Sequence, residues 1–186
     1  MAGPSINKNM EPYFYQFEEE LLSITDRQSL LSVAKNSFSN FMLSNQYDNV
    51  NLLKFSDMLD FDKTVTNNVK KLIHSCSLKI RLMLIYHEPY KEVGRHQDNP
   101  RNKRNTVLSI PLFPLDSYPR TLFWETFSST TPIAVAEFNK TNPCLLNTQK
   151  LHIVEKSDRE RFNFQLCFNE TFEQVLELIQ DNKLFI

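Results

Sequence analysis

The sequence predicts a mainly β (α+β) fold, in which an antiparallel sandwich or barrel has helices before and after it in the chain. Seven short apolar or alternating runs, separated by turn residues, lie between residues 78 and 168, and this spacing is typical of two packed antiparallel sheets or of a barrel. Fifteen Phe and six Tyr against only two Gly indicate an aromatic core whose turns use Pro, Asn, Asp and Ser.

The segments outside this core predict its helical support. Apolar residues at helical spacing predict a helix over 26–43 and a shorter one over 62–75, and the polar stretch SNQYDNVN between them predicts a loop. Upstream, the aromatic segment EPYFYQF at 11–17 predicts a strand that pairs with the main sheet. Downstream, an amphipathic pattern over 169–186 predicts a closing helix that packs on the sheet.

Length and charge limit what the chain can do. With 186 residues and 41% hydrophobic content, we expect a single domain that consists of N-terminal support (11–77), a β core (78–168) and a closing helix (169–186). Lys and Arg total 21 against 22 Asp and Glu, which disfavours a nucleic-acid partner or an anionic membrane surface. No apolar run approaches the roughly 20 residues that span a bilayer.

Cysteine usage predicts a reducing compartment. Cys76, Cys144 and Cys167 are an odd number without the paired spacing of a zinc site, and the last two lie in apolar runs where a reduced thiol fits. The first ten residues lack the apolar stretch of a secretory signal. We therefore expect a soluble, cytoplasmic protein.

The stretch GRHQD, which begins at Gly94, contains two potential metal ligands, His96 and Asp98. Residues two apart on an extended strand point to the same face and can bind one ion, whereas in a helix they diverge by roughly 200°. The motif alone is weak, because four His and 22 acidic residues among 186 positions give about 0.5 matches by chance. Its significance depends on further ligands.

Two later residues extend the motif. His152, 56 residues after His96, follows enough strands for the chain to return beside the first two ligands. Two imidazoles and one carboxylate form the facial triad that suits Fe(II) and leaves adjacent positions open, whereas zinc favours a closed tetrahedral site. Arg161 follows nine residues later and opens the alternating run RFNFQLCF. An inward guanidinium there could bind a dicarboxylate through paired hydrogen bonds that Lys cannot reproduce.

This order of residues resembles the core of the Fe(II)- and 2-oxoglutarate-dependent oxygenases. The match runs over residues 78–168, through HQD, NTVLSIPLF and PCLLNTQKLHIVEKSDRERFNFQLCF, and is most similar to small bacterial and phage-type members related to prolyl and aspartyl/asparaginyl hydroxylases. The resemblance implies a double-stranded β-helix, or jelly roll, in which His96, Asp98 and His152 bind the catalytic iron. It also implies that Arg161 binds the distal carboxylate of 2-oxoglutarate.

The resemblance implies the reaction as well. Relatives consume dioxygen and 2-oxoglutarate, release succinate and CO₂, and hydroxylate a C–H bond. The expected primary substrate is a protein side chain or a small molecule, and the sequence does not identify it.

Further candidates come from the same comparison. Asn163 stands where many relatives have Ser and is a candidate cosubstrate contact, while Arg159, in the charged turn KSDRER, is a rival anchor for the distal carboxylate. A tyrosine on the strand before H-x-D often lines the cosubstrate pocket in relatives, which makes Tyr86 or Tyr90 a candidate. Arg104 occupies a place comparable to an arginine that some aspartyl-type hydroxylases use.

Two other functions remain open from the sequence. A cupin-like metal protein would use the same three ligands without 2-oxoglutarate, and the role of Arg161 distinguishes it. A binding or structural jelly-roll module would have no catalysis, because a fold does not dictate a function, and its three candidate ligands would not converge. His74 and His87 lack partner spacing, and no chemistry is assigned to them.

Overall fold

The computed structural model describes residues 13–36, 42–44, 47–54, 65–91, 93–98, 104–138 and 142–186, with the backbone alone for those between 42 and 54. In this part of the chain the fold is mainly β, with two antiparallel sheets and three helices, as the sequence predicts. The helices are α1 (Ile24–Asn36), α2 (Asn67–His74) and α3 (Phe172–Gln180). The strands are β1 (Phe14–Gln16), β2 (Met42–Ser44), β3 (Tyr47–Lys54), β4 (Ile80–His87), β5 (Thr106–Phe113), β6 (Thr121–Trp124), β7 (Ala134–Ala136), β8 (Cys144–Asn147), β9 (Leu151–Val154) and β10 (Arg161–Phe168).

The strands form a larger and a smaller sheet. The larger sheet has the order β1-β8-β5-β10-β4-β3-β2, and the smaller one has the order β7-β6-β9. All seven runs predicted between 78 and 168 form strands. The predicted N-terminal strand is also confirmed, since β1 pairs antiparallel with β8. Because neighbours in the larger sheet come from distant parts of the chain, its centre brings both ends of the β core together.

Strand β10 lies at that centre, between β4 and β5, and separates two environments. Its even-numbered residues, Phe162 to Phe168, pack in the main core. Its odd-numbered residues from Arg161 to Gln165 line a pocket instead. Successive side chains of a strand point to opposite faces, so the alternating sequence of β10 supplies a core and a polar site at once.

The main core lies between the larger sheet and the helices. Leu30 of α1 and Val175 of α3 are buried in it together with the Phe residues of β10. A smaller cluster around Phe123 and Cys144 includes residues of both sheets. Cys144 and Cys167 are buried free thiols, as expected from their apolar runs.

Helix α1 begins at Ile24, two residues before the predicted start. Ser23 caps it: the backbone N–H of Asp26 donates to the Ser23 hydroxyl, and the backbone N–H of Ser23 donates to the Asp26 carboxylate. This reciprocal arrangement satisfies N–H groups that the first helical turn leaves unpaired. The predicted end at residue 43 is wrong, because Met42–Ser44 form β2, and residues 37–41 lie outside the described part.

The predicted loop over 44–51 is wrong as well. Strand β3 runs through it and pairs with both β2 and β4. Asn and Asp have low strand propensity, but backbone pairing with β4 overrides that local preference. Helix α2 begins after Thr66, whose hydroxyl accepts from the N–H of Val69, so the helix is shorter than the predicted 62–75, of which 62–64 lie outside the described residues.

The closing helix is confirmed in type and is shorter than predicted. Thr171 and Gln174 form a capping box at its start, and the helix ends at Gln180. None of the helices in the described part of the chain has the length and apolar content that crossing a membrane requires.

We expect Phe164→Ala to destabilise the protein by about 3–5 kcal/mol, because it leaves a cavity in a close-packed core. The Phe164 side chain is 0% exposed, whereas Phe127, the matched control, is 70% exposed, and Phe127→Ala should cost less than about 0.5 kcal/mol. Urea denaturation measures both values. Equal effects of the two substitutions would contradict the assignment of the core.

Candidate metal centre and adjoining pocket

The backbone brings His96 and His152 side by side. The two residues form an isolated antiparallel bridge, in which each N–H donates to the other's carbonyl over 3.0 and 2.9 Å. On the other edge of β9, His152 pairs with Phe123 of β6. Directly opposed side chains lie on the same face of a ladder, and the imidazole centroids are accordingly 4.4 Å apart.

Asp98 completes the cluster. Its backbone N–H donates to the carbonyl of Thr148 over 2.9 Å, which is a second backbone contact between this segment and the residues just before β9. One carboxylate oxygen, Oδ1, lies 3.9 Å from Nε2 of His96. Each of the three residues offers one ligand atom, and these atoms lie within 4.8 Å of one another. Such a group can surround a single cation.

Hydrogen bonds fix the orientation of both imidazoles. Nδ1 of His96 lies 2.8 Å from the carbonyl of Gly94, and Nδ1 of His152 lies 2.8 Å from the carbonyl of Lys150. A carbonyl only accepts, so Nδ1 carries the proton of the neutral ring and Nε2 keeps its lone pair. Backbone contacts of this kind orient metal-binding histidines.

Burial keeps these rings neutral. It is the largest influence on His152, and together with the neighbouring His96 it lowers the pKa of His152 from 6.5 to about 4. Burial also lowers the pKa of His96. A metal binds the neutral imidazole, so at neutral pH neither ring must lose a proton first.

Arg104 supports the carboxylate of Asp98. Nη2 of Arg104 lies 3.3 Å from Oδ2 of Asp98 and donates to Oε1 of Gln165 over 2.9 Å. Asp98 is 3% exposed, and burial of a carboxylate requires such a partner. Arg104, a candidate named from the sequence, therefore contacts Oδ2 of the Asp98 carboxylate, while Oδ1 of the same carboxylate faces His96.

A pocket of about 640 Å³, its open mouth included, adjoins the three ligands. Its walls are the inner faces of the two sheets, with apolar residues such as Val93, Phe138 and Leu146 beside the polar ones. Asp98 is the one acidic side chain among the described residues that line it.

Arg161 lies in this pocket and is 2% exposed. Its guanidinium donates to the carbonyl of Glu155 over 3.1 Å and to Nδ1 of His87 over 2.7 Å. Within the described part of the chain, no carboxylate pairs with it. Arg159 points elsewhere, because it forms an ion pair with the exposed Asp116. The two predicted anchors thus occupy different environments, and only Arg161 faces the ligand cluster's pocket.

The other predicted residues divide in the same way. Asn163 lines the pocket and donates to the hydroxyl of Ser109 over 2.6 Å. The expectation that Tyr86 lines the pocket is not met, because its ring packs on Phe162 in the main core, with centroids 4.9 Å apart. Tyr90 is largely exposed. Tyr86 occupies the opposite face of β4 from Ile85 and His87, which do line the pocket.

Two ionisable residues of the pocket were not predicted from the sequence. His87 lies directly opposite Arg161 in the pairing of β4 with β10, and no sequence spacing reveals that register. Tyr118 follows β5 in a connecting segment and lines the pocket, where burial raises its pKa to about 12. Strand geometry places His87 and Ile85 on one face of β4, but the apolar sequence of this strand does not show which face lines the pocket.

Comparisons with known proteins bear on the fold of this chain. No protein-family profile and no curated protein matches the sequence. A prolyl hydroxylase from Trichoplax adhaerens, solved with a peptide fragment of the hypoxia-inducible factor oxygen degradation domain, aligns at a TM-score of 0.59 and 16% identity, over 88% of this chain and 87% of that one. A viral collagen prolyl hydroxylase from Paramecium bursaria Chlorella virus-1 aligns at 0.52 and 14% identity, over 88% and 98%.

A third solved structure carries the name of a carbocyclase. It is the non-haem α-ketoglutarate-dependent carbocyclase of nogalamycin biosynthesis, which aligns at a TM-score of 0.58 and 11% identity, over 89% of this chain and 86% of that one. The chain therefore has the fold of the Fe(II)- and 2-oxoglutarate-dependent oxygenases, and at the level of the fold the resemblance inferred from the sequence is confirmed.

We expect the metal-free protein to lose stability as the pH falls below 6.5. Because the pKa of His152 is about 4 in the folded state and 6.5 is its ordinary value, the unfolded chain binds a proton there between these pH values and the folded chain does not. Acidification therefore favours unfolding, by up to about 3 kcal/mol from this residue.

Urea denaturation of chelator-treated protein at pH 7 and pH 4.5 measures this loss. The matched variant His152→Gln removes the titrating group, so its stability should fall less over the same interval. An equal loss of stability in both proteins would contradict the lowered pKa of His152.

Proposed function

We propose that this protein is a 2-oxoglutarate-dependent non-haem iron dioxygenase that acts as a hydroxylase. In this proposal the two sheets form a double-stranded β-helix, the whole chain acts as a single domain, and Fe(II) and 2-oxoglutarate occupy the pocket between the sheets. A cytoplasmic location remains a prediction from cysteine usage. The neighbouring solved structures support the general class, and the chemistry of the pocket supports the particular assignments.

The donor set of the cluster fits Fe(II). His96 and His152 would bind the metal through Nε2, and Asp98 would bind it through Oδ1. Two imidazoles and one carboxylate are the ligands of non-haem iron oxygenases and leave positions open for other molecules. Within the described residues no cysteine belongs to the group, as a closed zinc site would more often require.

Arg161 is the observation that carries the choice of 2-oxoglutarate. A guanidinium stays charged at neutral pH, and a buried charge without a counter-ion is costly. Its partners in the described part of the chain are a carbonyl and an imidazole, so a ligand carboxylate would supply the missing anion. This favours the oxygenase over a cupin-like metal protein without 2-oxoglutarate, and convergence of three ligands disfavours a purely structural module.

The residues of the pocket would bind and orient 2-oxoglutarate and shield it from water. Arg161 would hold the distal carboxylate and thereby direct the 2-oxo acid end towards the ligand cluster, which reduces the entropic cost of reaction. Arg104 pairs with Oδ2 of Asp98, so Oδ1, which faces His96, would be the oxygen that binds the metal. Val93, Phe138 and Leu146 provide an apolar wall that excludes water.

When bound, the iron and 2-oxoglutarate supply the oxidising chemistry: decarboxylation of the cosubstrate to succinate and CO₂, coupled to transfer of one oxygen atom from dioxygen to a C–H bond. The primary substrate we propose is a protein side chain or a small molecule. Solved neighbours include prolyl hydroxylases and a carbocyclase, so the fold does not choose between these classes.

We expect Fe(II) and 2-oxoglutarate, added together without oxygen, to produce a visible charge-transfer absorption band. Asp98→Ala should abolish it, because one of three metal ligands is removed. Asp116→Ala, which removes an exposed carboxylate paired with Arg159, is the matched control and should retain the band. Absence of a band in the unmodified protein at saturating concentrations would contradict the proposed function.

We also expect Arg161→Gln to raise the Kd for 2-oxoglutarate by about tenfold or more. Hydrogen bonds to charged groups contribute about 1.5–3 kcal/mol, and each 1.4 kcal/mol corresponds to about tenfold in affinity. Arg159→Gln is the matched control and should leave the Kd unchanged. Anaerobic titration of the Fe(II)-loaded protein gives both values, and the opposite ranking would make Arg159 the anchor.

A further inference from the structure

His87 ends strand β4 beside the guanidinium of Arg161. The two residues are direct partners in the antiparallel pairing of β4 with β10, and Nη2 of Arg161 lies 2.7 Å from Nδ1 of His87. Both side chains line the pocket that contains the ligand cluster, and both are buried. His87 is therefore part of the pocket wall next to the proposed cosubstrate anchor.

The contact fixes the protonation of the His87 ring. A guanidinium has five N–H donors and no acceptor, so Nδ1 of His87 must accept. The remaining ring proton then lies on Nε2. Burial, followed by the positive charge of Arg161, lowers the pKa of His87 well below its usual value, which keeps the ring neutral at neutral pH.

The Nε2–H group lacks an acceptor. Among the residues that the structure describes, the contact with Arg161 is the only hydrogen bond of the His87 side chain. A donor that a bound ligand shuts off from water needs an acceptor on that ligand, and Asp98, the one acidic side chain among the described pocket residues, is held by Arg104. The acceptor that best fits a donor beside a buried guanidinium is a carboxylate oxygen of a bound ligand.

We propose that His87 binds the distal carboxylate of the cosubstrate together with Arg161, accepting from Arg161 through Nδ1 and donating to the carboxylate through Nε2. This inference rests on the proposed function, since it takes 2-oxoglutarate as the ligand. It makes His87 a residue that determines specificity: the pair requires a second carboxylate at the far end of the 2-oxo acid, and a monocarboxylate leaves both donors unpaired.

Two amide substitutions separate the roles of the two ring nitrogens. His87→Asn places an acceptor near the Nδ1 position and removes the Nε2 donor, whereas His87→Gln places an amide near the Nε2 position. Titration calorimetry of the Mn(II)-loaded protein gives the Kd of 2-oxoglutarate and of pyruvate, which lacks the distal carboxylate. We expect His87→Asn to raise the Kd of 2-oxoglutarate about tenfold. His87→Gln should retain most of the affinity of the unmodified protein. The Kd of pyruvate should stay unchanged in both variants.

Three results would overturn parts of the account, and they are distinguishable. Unmodified Mn(II) protein that binds no 2-oxoglutarate overturns the proposed function itself. Binding by the unmodified protein with no loss in His87→Asn overturns only the role of His87. Equal losses for 2-oxoglutarate and pyruvate also overturn it, because the effect would not then concern the distal carboxylate.

A measurement on the unmodified protein avoids any dependence on how the variants fold. In ¹⁵N-histidine-labelled, Zn(II)-loaded protein, NMR correlation of ring nitrogens with ring protons should show His87 with its proton on Nε2. Addition of 2-oxoglutarate should shift this Nε2–H signal, and pyruvate should not. A proton on Nδ1, or an Nε2–H signal that 2-oxoglutarate leaves unchanged, would overturn the inference.

Discussion

The antiparallel bridge between His96 and His152 is the constraint on which the candidate site depends. Reciprocal backbone hydrogen bonds hold the two residues in register, so their side chains emerge on the same face although 56 positions of sequence separate them. Two residues later, a hydrogen bond from the Asp98 N–H to the carbonyl of Thr148 holds the chain where the Asp98 carboxylate joins the two imidazoles. A shift by one residue would turn side chains to the opposite face, and no ligand cluster would remain.

The centre of the larger sheet imposes the second condition. Strand β10 lies between β4 and β5, and its alternating residues face the helical core on one side and the pocket on the other. Because burial of the Phe residues holds one face of β10 against the helices, Arg161 on the other face must point into the pocket. The pairing with β4 then brings His87 to it. The alternation of apolar and polar residues in β10 therefore supports both the stability of the core and the position of the Arg161 guanidinium.

Much of this arrangement could be predicted from the sequence, and the failures have physical reasons. Alternation in the β core identified its strands, and the spacing of His96, Asp98, His152 and Arg161 identified residues that the structure brings into one pocket. Tyr86 was expected in the pocket, but His87 lies there. The run of β4 is almost wholly apolar and both of its faces become buried. The sequence therefore does not show which residues of β4 face the pocket and which face the main core. Strand β3 was missed because its polar residues owe their conformation to pairing with β4.

A crystal structure of the protein with Mn(II) and N-oxalylglycine, an analogue of 2-oxoglutarate, would show whether the three side chains share one ion. We expect one metal ion bound by Nε2 of His96, Nε2 of His152 and a carboxylate oxygen of Asp98, with the far carboxylate of the analogue on Arg161. A metal bound elsewhere, or either imidazole turned away from it, would contradict the account.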